Sequence, residues 1–361
     1  MRYVQELSCA LAGASVAFTG LAVAQSIDDY VLSRTFDLPP SFNGTGDFDD
    51  TVRFDDLPDG RLIVLNGGIV SVETGVGTGQ FTELGTIPGF QPTFGPTFIQ
   101  VSPDGTRAAV GSNGEGSVVV FDTADPTAAE SFSASDFDAV WIDNDRLAIS
   151  NSNGVDVLDT TTGQVTNAVT NIGGASAGIT FDSAGNLYTG NGFDFAPGGS
   201  DTGTIKVFDA AAFASAISGG PAIDFENDGV EVADLLSANS LGFDAFGNFF
   251  VGGGDLFGGS GDVGYAGLID AAAIAARLDD PAVVPLIDVS ASGDILRMFD
   301  TPQEFINLFQ PPSWSFNDAT GELYLRYFEQ PEVLVFVVPS PGAGLVVAAC
   351  GLASVRRRRA S

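Results

Sequence analysis

From residue 52 to residue 328 the chain repeats one short pattern: an alternating apolar strand, an Asp/Gly turn, a second apolar strand, a break, and a third strand ending near Asp. The clearest copies are residues 98–122, 179–190 with 203–209, and 241–253 with 266–270. Weaker ones are 52–65, 139–150 with 154–163, and 314–328. Period-two alternation bounded by Gly and Asp predicts strands. In five of the six units a turn glycine such as Gly185 is placed to take the positive φ that closes a hairpin; the third turns at Asp145 instead. A small sheet with two apolar faces cannot bury both alone, so six such units must stack face to face around an axis.

The expected fold is therefore all-β: a β-propeller of six four-stranded blades over residues 25–337, with short helical insertions in two blades. Six units leave Val31–Leu38 as a lone strand. Its place is the outer strand of the last blade, where it closes the ring and removes a free edge. A seventh blade would require a divergent unit within residues 280–312. Blades four and five read as a duplicated pair. Asp209 caps AAAFASAI before Gly219-Gly220-Pro221, and Asp270 caps AAAIAARL before Asp279-Asp280-Pro281. Each pattern predicts a short helix after the third strand. The same blades carry long Gly/Asp loops, 191–203 and 253–264. If these lie side by side, Asp194, Asp201, Asp255 and Asp262 supply oxygen ligands for calcium, the one cofactor the sequence suggests.

The ends follow a different pattern. Residues 1–24 join Arg2 to an apolar stretch and finish on Ala22-x-Ala24, which predicts a signal peptide cut before Gln25. At the other end, Pro339-Ser340-Pro341 leads into the apolar run Gly344–Val355 and then Arg356, Arg357, Arg358 and Arg359. As a helix that run spans about 18 Å, short of a bilayer core of about 30 Å. It predicts a transient membrane stop with its arginines on the cytoplasmic side. The order Pro-x-Pro, apolar segment, arginine cluster over residues 338–361 resembles the PEP-CTERM sorting signal, with Ser340 where that family has Glu. The resemblance implies processing by signal peptidase and an exosortase, and a location at the cell surface or outside it. The copies around Pro103-Asp104-Gly105 and Val155–Thr160 resemble YVTN-type repeats. Those around Phe181-Asp182 and Phe243-Asp244 are similar to NHL or gluconolactonase-like blades. Both imply a propeller and no particular activity.

Composition narrows the chemistry. Asp and Glu number 46 against 14 Lys and Arg, for a net charge of −32; without the arginine tail, and with Arg2 and Glu6 cancelling, the body carries −36. Such a surface repels nucleic acid and attracts cations. There is no histidine, and Cys9 and Cys350 both fall in the terminal segments. Ser-His-Asp and Cys-His catalysis and ordinary zinc sites are thereby excluded. Carboxylate chemistry, an arginine/tyrosine site and a hard cation remain. Asp224, Glu226, Asp228 and Gly229 begin like a calcium loop, but Val232 and Leu235 stand where ligands would be needed, so an ordinary acidic turn is expected. Two functions compete. One is a non-enzymatic surface propeller binding polysaccharide or a surface protein; the other is a calcium-dependent, lactonase-like hydrolase.

Overall fold

The computed structural model describes residues 27–38, 52–90, 96–112, 116–135, 137–173, 175–193, 203–235, 238–253, 265–288, 296–298, 313–327 and 332–337. The predicted signal peptide, the sorting tail and most of the two long loops lie outside these residues.

The opening strand is β1 (Val31–Asp37). The first blade comprises β2 (Val52–Asp56), β3 (Leu62–Asn66), β4 (Ile69–Glu73) and β5 (Phe81–Thr86). The second comprises β6 (Pro96–Val101), β7 (Arg107–Ser112), β8 (Ser117–Asp122) and β9 (Asp125–Ser133). In the third are β10 (Ala139–Trp141), β11 (Arg146–Ser150), β12 (Val155–Asp159) and β13 (Val165–Thr170). The remaining elements, in chain order, are β14 (Ala175–Phe181), β15 (Leu187–Phe193), β16 (Gly203–Phe208), α1 (Ala210–Ile217), β17 (Ile223–Asp224), β18 (Val230–Leu235), β19 (Ser240–Phe243), β20 (Phe249–Gly253), β21 (Tyr265–Ile269), α2 (Ala271–Asp279), β22 (Ile287–Asp288), β23 (Leu296–Met298), β24 (Ser313–Asn317), β25 (Glu322–Arg326) and β26 (Glu332–Val337). Blade four is built on β14, β15, β16 and β18, blade five on β19, β20, β21 and β23, and blade six on β24, β25, β26 and β1.

The inner strands touch in a closed cycle, β2 to β6, β10, β14, β19, β24 and back to β2. The ring has six blades. Among the described residues of 280–312, β22 joins blade four and β23 joins blade five, and neither starts a seventh blade. Closure runs through β1, which pairs antiparallel with β26 from Val31↔Val337 to Asp37↔Glu332. Ile27 and Tyr30, both buried, enter the cluster formed by blades five and six, while Leu38 packs beside Val52 and Val333 at the seam of six with one.

Apolar residues on both faces of each sheet fill the seams between blades, as Ile63, Val70 and Val72 of blade one do against Ile99, Val110 and Val119 of blade two. The turn glycines Gly60, Gly105, Gly185, Gly247 and Gly321 all take positive φ, between 67° and 85°.

The helices form where the caps predict. Asp209 accepts from the Ala211 and Ala212 N–H groups, and Asp270 from those of Ala272 and Ala273. Beyond each helix the chain departs from a plain four-stranded blade. After α1 it adds β17 in parallel to β13, so blade three has five strands; after α2 it adds β22 to β18, so blade four has five. Each insertion thus covers the outer edge of the preceding blade before returning to its own. Phe213 and Ala216 anchor α1 against Val169 and Ile223, and Ile274 anchors α2 against Val232 and Ile287. Two-residue strands have no periodicity to read, which is why the sequence pattern does not forecast them.

Candidate functional site

The registers align the six blades residue by residue. The inner-strand residue just before the turn is Val101, Trp141, Phe181, Phe243 and Phe316 in five blades, paired with Ala108, Leu147, Leu187, Phe249 and Leu323. In the first blade it is Asp56, paired with Leu62. An apolar side chain at this position packs into the seam, so a carboxylate there breaks a rule that the other five blades keep. Its neighbour Asp55 is acidic as well, where the other blades have Gln100, Val140, Thr180, Gly242 and Ser315.

Both carboxylates face other blades. The Val101 N–H of blade two donates to Asp55 Oδ2 at 2.7 Å. The Ser315 hydroxyl of blade six donates to Asp56 Oδ1 at 2.8 Å and lies 3.4 Å from Asp55 Oδ1. The inner-to-second-strand turns of blades six, one and two surround the pair and leave a cleft of about 380 Å3. Pro58, Gln100, Ser102 and Asp318 line it, and its lining includes neither lysine nor arginine. Burial, and then the charge of Asp56, pushes the Asp55 carboxyl up to about 8; burial likewise pushes Asp56 up to about 6, with Asp318 adding repulsion. Perturbed carboxyls in a cleft are the usual physical mark of a functional site, although ion networks and buried bridges perturb them too.

A third partly buried carboxyl, Asp138, sits just before β10 and accepts from the Ile179 N–H of blade four at 3.1 Å. Burial pushes it up to about 7, against the pull of Arg53. The Arg53 guanidinium itself bridges blades one and two by donating to the Thr97 carbonyl at 2.9 Å. On the seam of two with three, Arg107 pairs with Asp145 at 2.9 Å and covers the Trp141 ring, whose Nε1 donates to the Gln100 carbonyl.

The residues singled out for chemistry in the sequence fare differently. Asp194, Asp201, Asp255 and Asp262 lie outside the described residues, as do Pro339, Pro341 and Arg356–Arg359. The turn beginning at Asp224 is an ordinary one. The Asp224 carboxylate is taken up by the Glu226 N–H and the side-chain amides of Asn227 and Asn171. The Phe225 and Glu226 carbonyls, which a cation would want, accept instead from Lys206, the chain's sole lysine, at 2.7 and 3.2 Å. These donors do not fit a calcium ion. Among the described residues no group of three or more carboxylates is placed to hold a metal. Asp55, Asp56 and Asp138 carry no motif in the sequence; the acid at position 56 stands out only once strand register aligns it with Val101, Trp141, Phe181, Phe243 and Phe316.

No family model and no curated protein matches the chain. Solved structures do. The PQQ domain of pyranose dehydrogenase from Coprinopsis cinerea superposes with a TM-score of 0.55 at 14% identity, covering 85% of this chain and 97% of that one. This likeness is one of fold. Weaker matches are a chain of the mitotic checkpoint complex (TM-score 0.49, 12% identity, 92% and 99% covered) and hydrazine synthase from Kuenenia stuttgartiensis (0.47, 14%, 80% and 76%).

Proposed function

We propose that this chain is an exported, surface-associated propeller that acts by binding, delivered by its N-terminal signal and sorted through its C-terminal tail by an exosortase-type enzyme. One observation carries the reading: Val31 pairs with Val337. All six blades draw their strands from between those residues. Both address segments therefore fall outside a ring that closes without them, and processing at both ends costs the fold no strand. The most suitable ligand face is the mouth formed by the turns of blades six, one and two. Its carboxyls, the Gln100 amide and the Ser102 hydroxyl suit a hydroxyl-rich polymer such as surface polysaccharide, with a surface protein as the other partner class.

Mass spectrometry of the protein from its native host tests the delivery half. The mature chain should start near Gln25 and end near Pro341, and intact peptides through Arg356–Arg359 in extracellular material would overturn it. Binding of the purified 25–337 ring to host surface polysaccharide, compared with Asp56→Asn, tests the other half.

A hydrolase is the second reading, and the Asp55–Asp56 pair favours it. One carboxyl protonated and one ionised near neutral pH is the arrangement acid–base hydrolysis uses. Release of reducing ends or lactone opening, abolished by Asp56→Asn, would establish it in place of simple binding.

A further inference from the structure

We propose that Asp55 and Asp56 form a proton-operated latch on the ring: while the pair keeps a proton it holds blades six, one and two together, and full ionisation loosens the seam between blades six and one. The proposal is independent of export and of any ligand.

The geometry is that of a clasp. Asp55 Oδ2 accepts from the Val101 N–H of blade two, while Asp55 Oδ1 and Asp56 Oδ1 both face the Ser315 hydroxyl of blade six. The seam they hold is the one where the first blade meets the last. Next to them the Asn317 amide donates to the Gly60 carbonyl at 2.8 Å, and Arg326 donates to the Val52 carbonyl at 3.3 Å. The charged groups facing the pair are few. From blade six comes Asp318, which adds negative charge to Asp56. From blade two come Gln100, Val101 and Ser102, none of them charged. On β2 itself, Arg53 points its Nε and Nη1 at the Thr97 and Val52 carbonyls.

A half-buried carboxylate pair with one proton can share its single charge among the hydrogen bonds present. With two charges it has the Val101 N–H and the Ser315 hydroxyl as its donors from neighbouring blades, and Asp318 opposes it. Water in the cleft eases the second charge only in part, and the repulsion left over acts across the seam, between Asp56 on blade one and Asp318 on blade six. The two carboxyls are pushed up to about 6 and about 8, so the second ionisation falls in the neutral to mildly alkaline range. Asp138 provides an internal control, being a single half-buried carboxyl at the seam of three with four.

Hydrogen–deuterium exchange of the whole protein, corrected for intrinsic rates, reads the latch directly. Between about pH 5.5 and about pH 8.5, peptides spanning 52–60 and 313–321 should exchange about tenfold faster, with a much smaller change in peptides from 107–122 and 146–159. Asp56→Asn keeps the shape and the Ser315 hydrogen bond but removes one charge, and should abolish most of that rise. A rise shared equally by all seams, or one unaltered in Asp56→Asn, overturns the proposal. The wild-type comparison between seams stands even if the variant folds poorly.

Discussion

The Tyr30 hydroxyl donates a 2.7 Å hydrogen bond to Asp244 Oδ2, joining residues 214 positions apart. Asp244 is the first residue of the turn in blade five, where its carboxylate already accepts from the Phe246 and Asn248 N–H groups. Tyr30 reaches it from the segment leading into β1. One phenol therefore ties the N-terminal segment to blade five, while the strand beyond it completes blade six. Burial and the Asp244 charge raise the Tyr30 pKa far above its ordinary value, so the hydroxyl remains a donor at any practical pH.

Removing that tie should cost stability in two steps. Tyr30→Phe leaves Asp244 one donor short and should destabilise by about 1–2 kcal/mol. Deleting residues 26–38 removes three buried apolar side chains, Ile27, Tyr30 and Leu38, and the outer strand of blade six. At about 1.5–3 kcal/mol for each buried side chain, that loss rivals a typical folding free energy of about 5–15 kcal/mol. Urea denaturation should show a modest midpoint shift for the first variant and an unfolded or aggregating ring for the second.

Gly105 and Gly321 occupy the same backbone region, at φ +73° and +67°. A side chain at Gly321 would meet nothing within 4 Å, whereas one at Gly105 would come within 2.5 Å of the Pro58 ring in the next blade. Alanine at either position carries the backbone penalty of about 1 kcal/mol. Only at Gly105 must it also push two blades apart. Gly105→Ala should therefore lower the melting temperature by roughly twice as much as Gly321→Ala, or more, when the two are compared calorimetrically.

Much of this architecture is written in local signals. Asp209 and Asp270 read as helix caps because a short acidic side chain before three alanines has one good use, and the structure gives it that use. Val31–Leu38 reads as the closing strand because it alternates and has no hairpin partner nearby. The strands β17 and β22 stay hidden because Ile223–Asp224 and Ile287–Asp288 become strands only once a helix has carried them to the edge of another blade. Asp55 and Asp56 stay hidden for a different reason. Two acids before Leu57-Pro58-Asp59-Gly60 look like the start of a solvated turn, and only the register between blades shows that they point into seams.

The paired loops 191–203 and 253–264 carry the calcium proposal. If Asp194 and Asp201 meet Asp255 and Asp262 around one ion, calcium should raise the melting temperature of the ring and give a saturable heat in calorimetric titration. Asp201→Asn and Asp262→Asn should each weaken both signals. Heat or stabilisation indifferent to both substitutions would leave these loops as ordinary surface.

Stability should also depend on pH in a direction opposite to that of most folded proteins over the neutral range. Asp55, Asp56 and Asp138 are all pushed up by burial, to about 8, 6 and 7. In the unfolded chain each ionises near 3.9. Between about pH 4 and pH 8 the folded ring thus holds more protons than the unfolded chain, and stability falls as pH rises through that window. Below about pH 4 both states are protonated at these groups, and their influence ends. There the opposite class takes over. Against the cost of burial, Arg146 and Arg34 hold the carboxyls of Asp143 and Glu322 low, and these two lose their stabilising charge as pH falls. The melting temperature should therefore peak at about pH 4–5 and decline steadily to about pH 8.5. The acidic surface pushes the same way, because self-repulsion also grows with pH, but it is screened at 1 M salt, where the Debye length is about 3 Å. Partly buried carboxyls are screened much less. At high salt the decline should persist in the wild type and become shallower in Asp138→Asn, whose side-chain oxygen still accepts the Ile179 N–H. A profile that flattens completely in salt would assign the pH dependence to the surface alone.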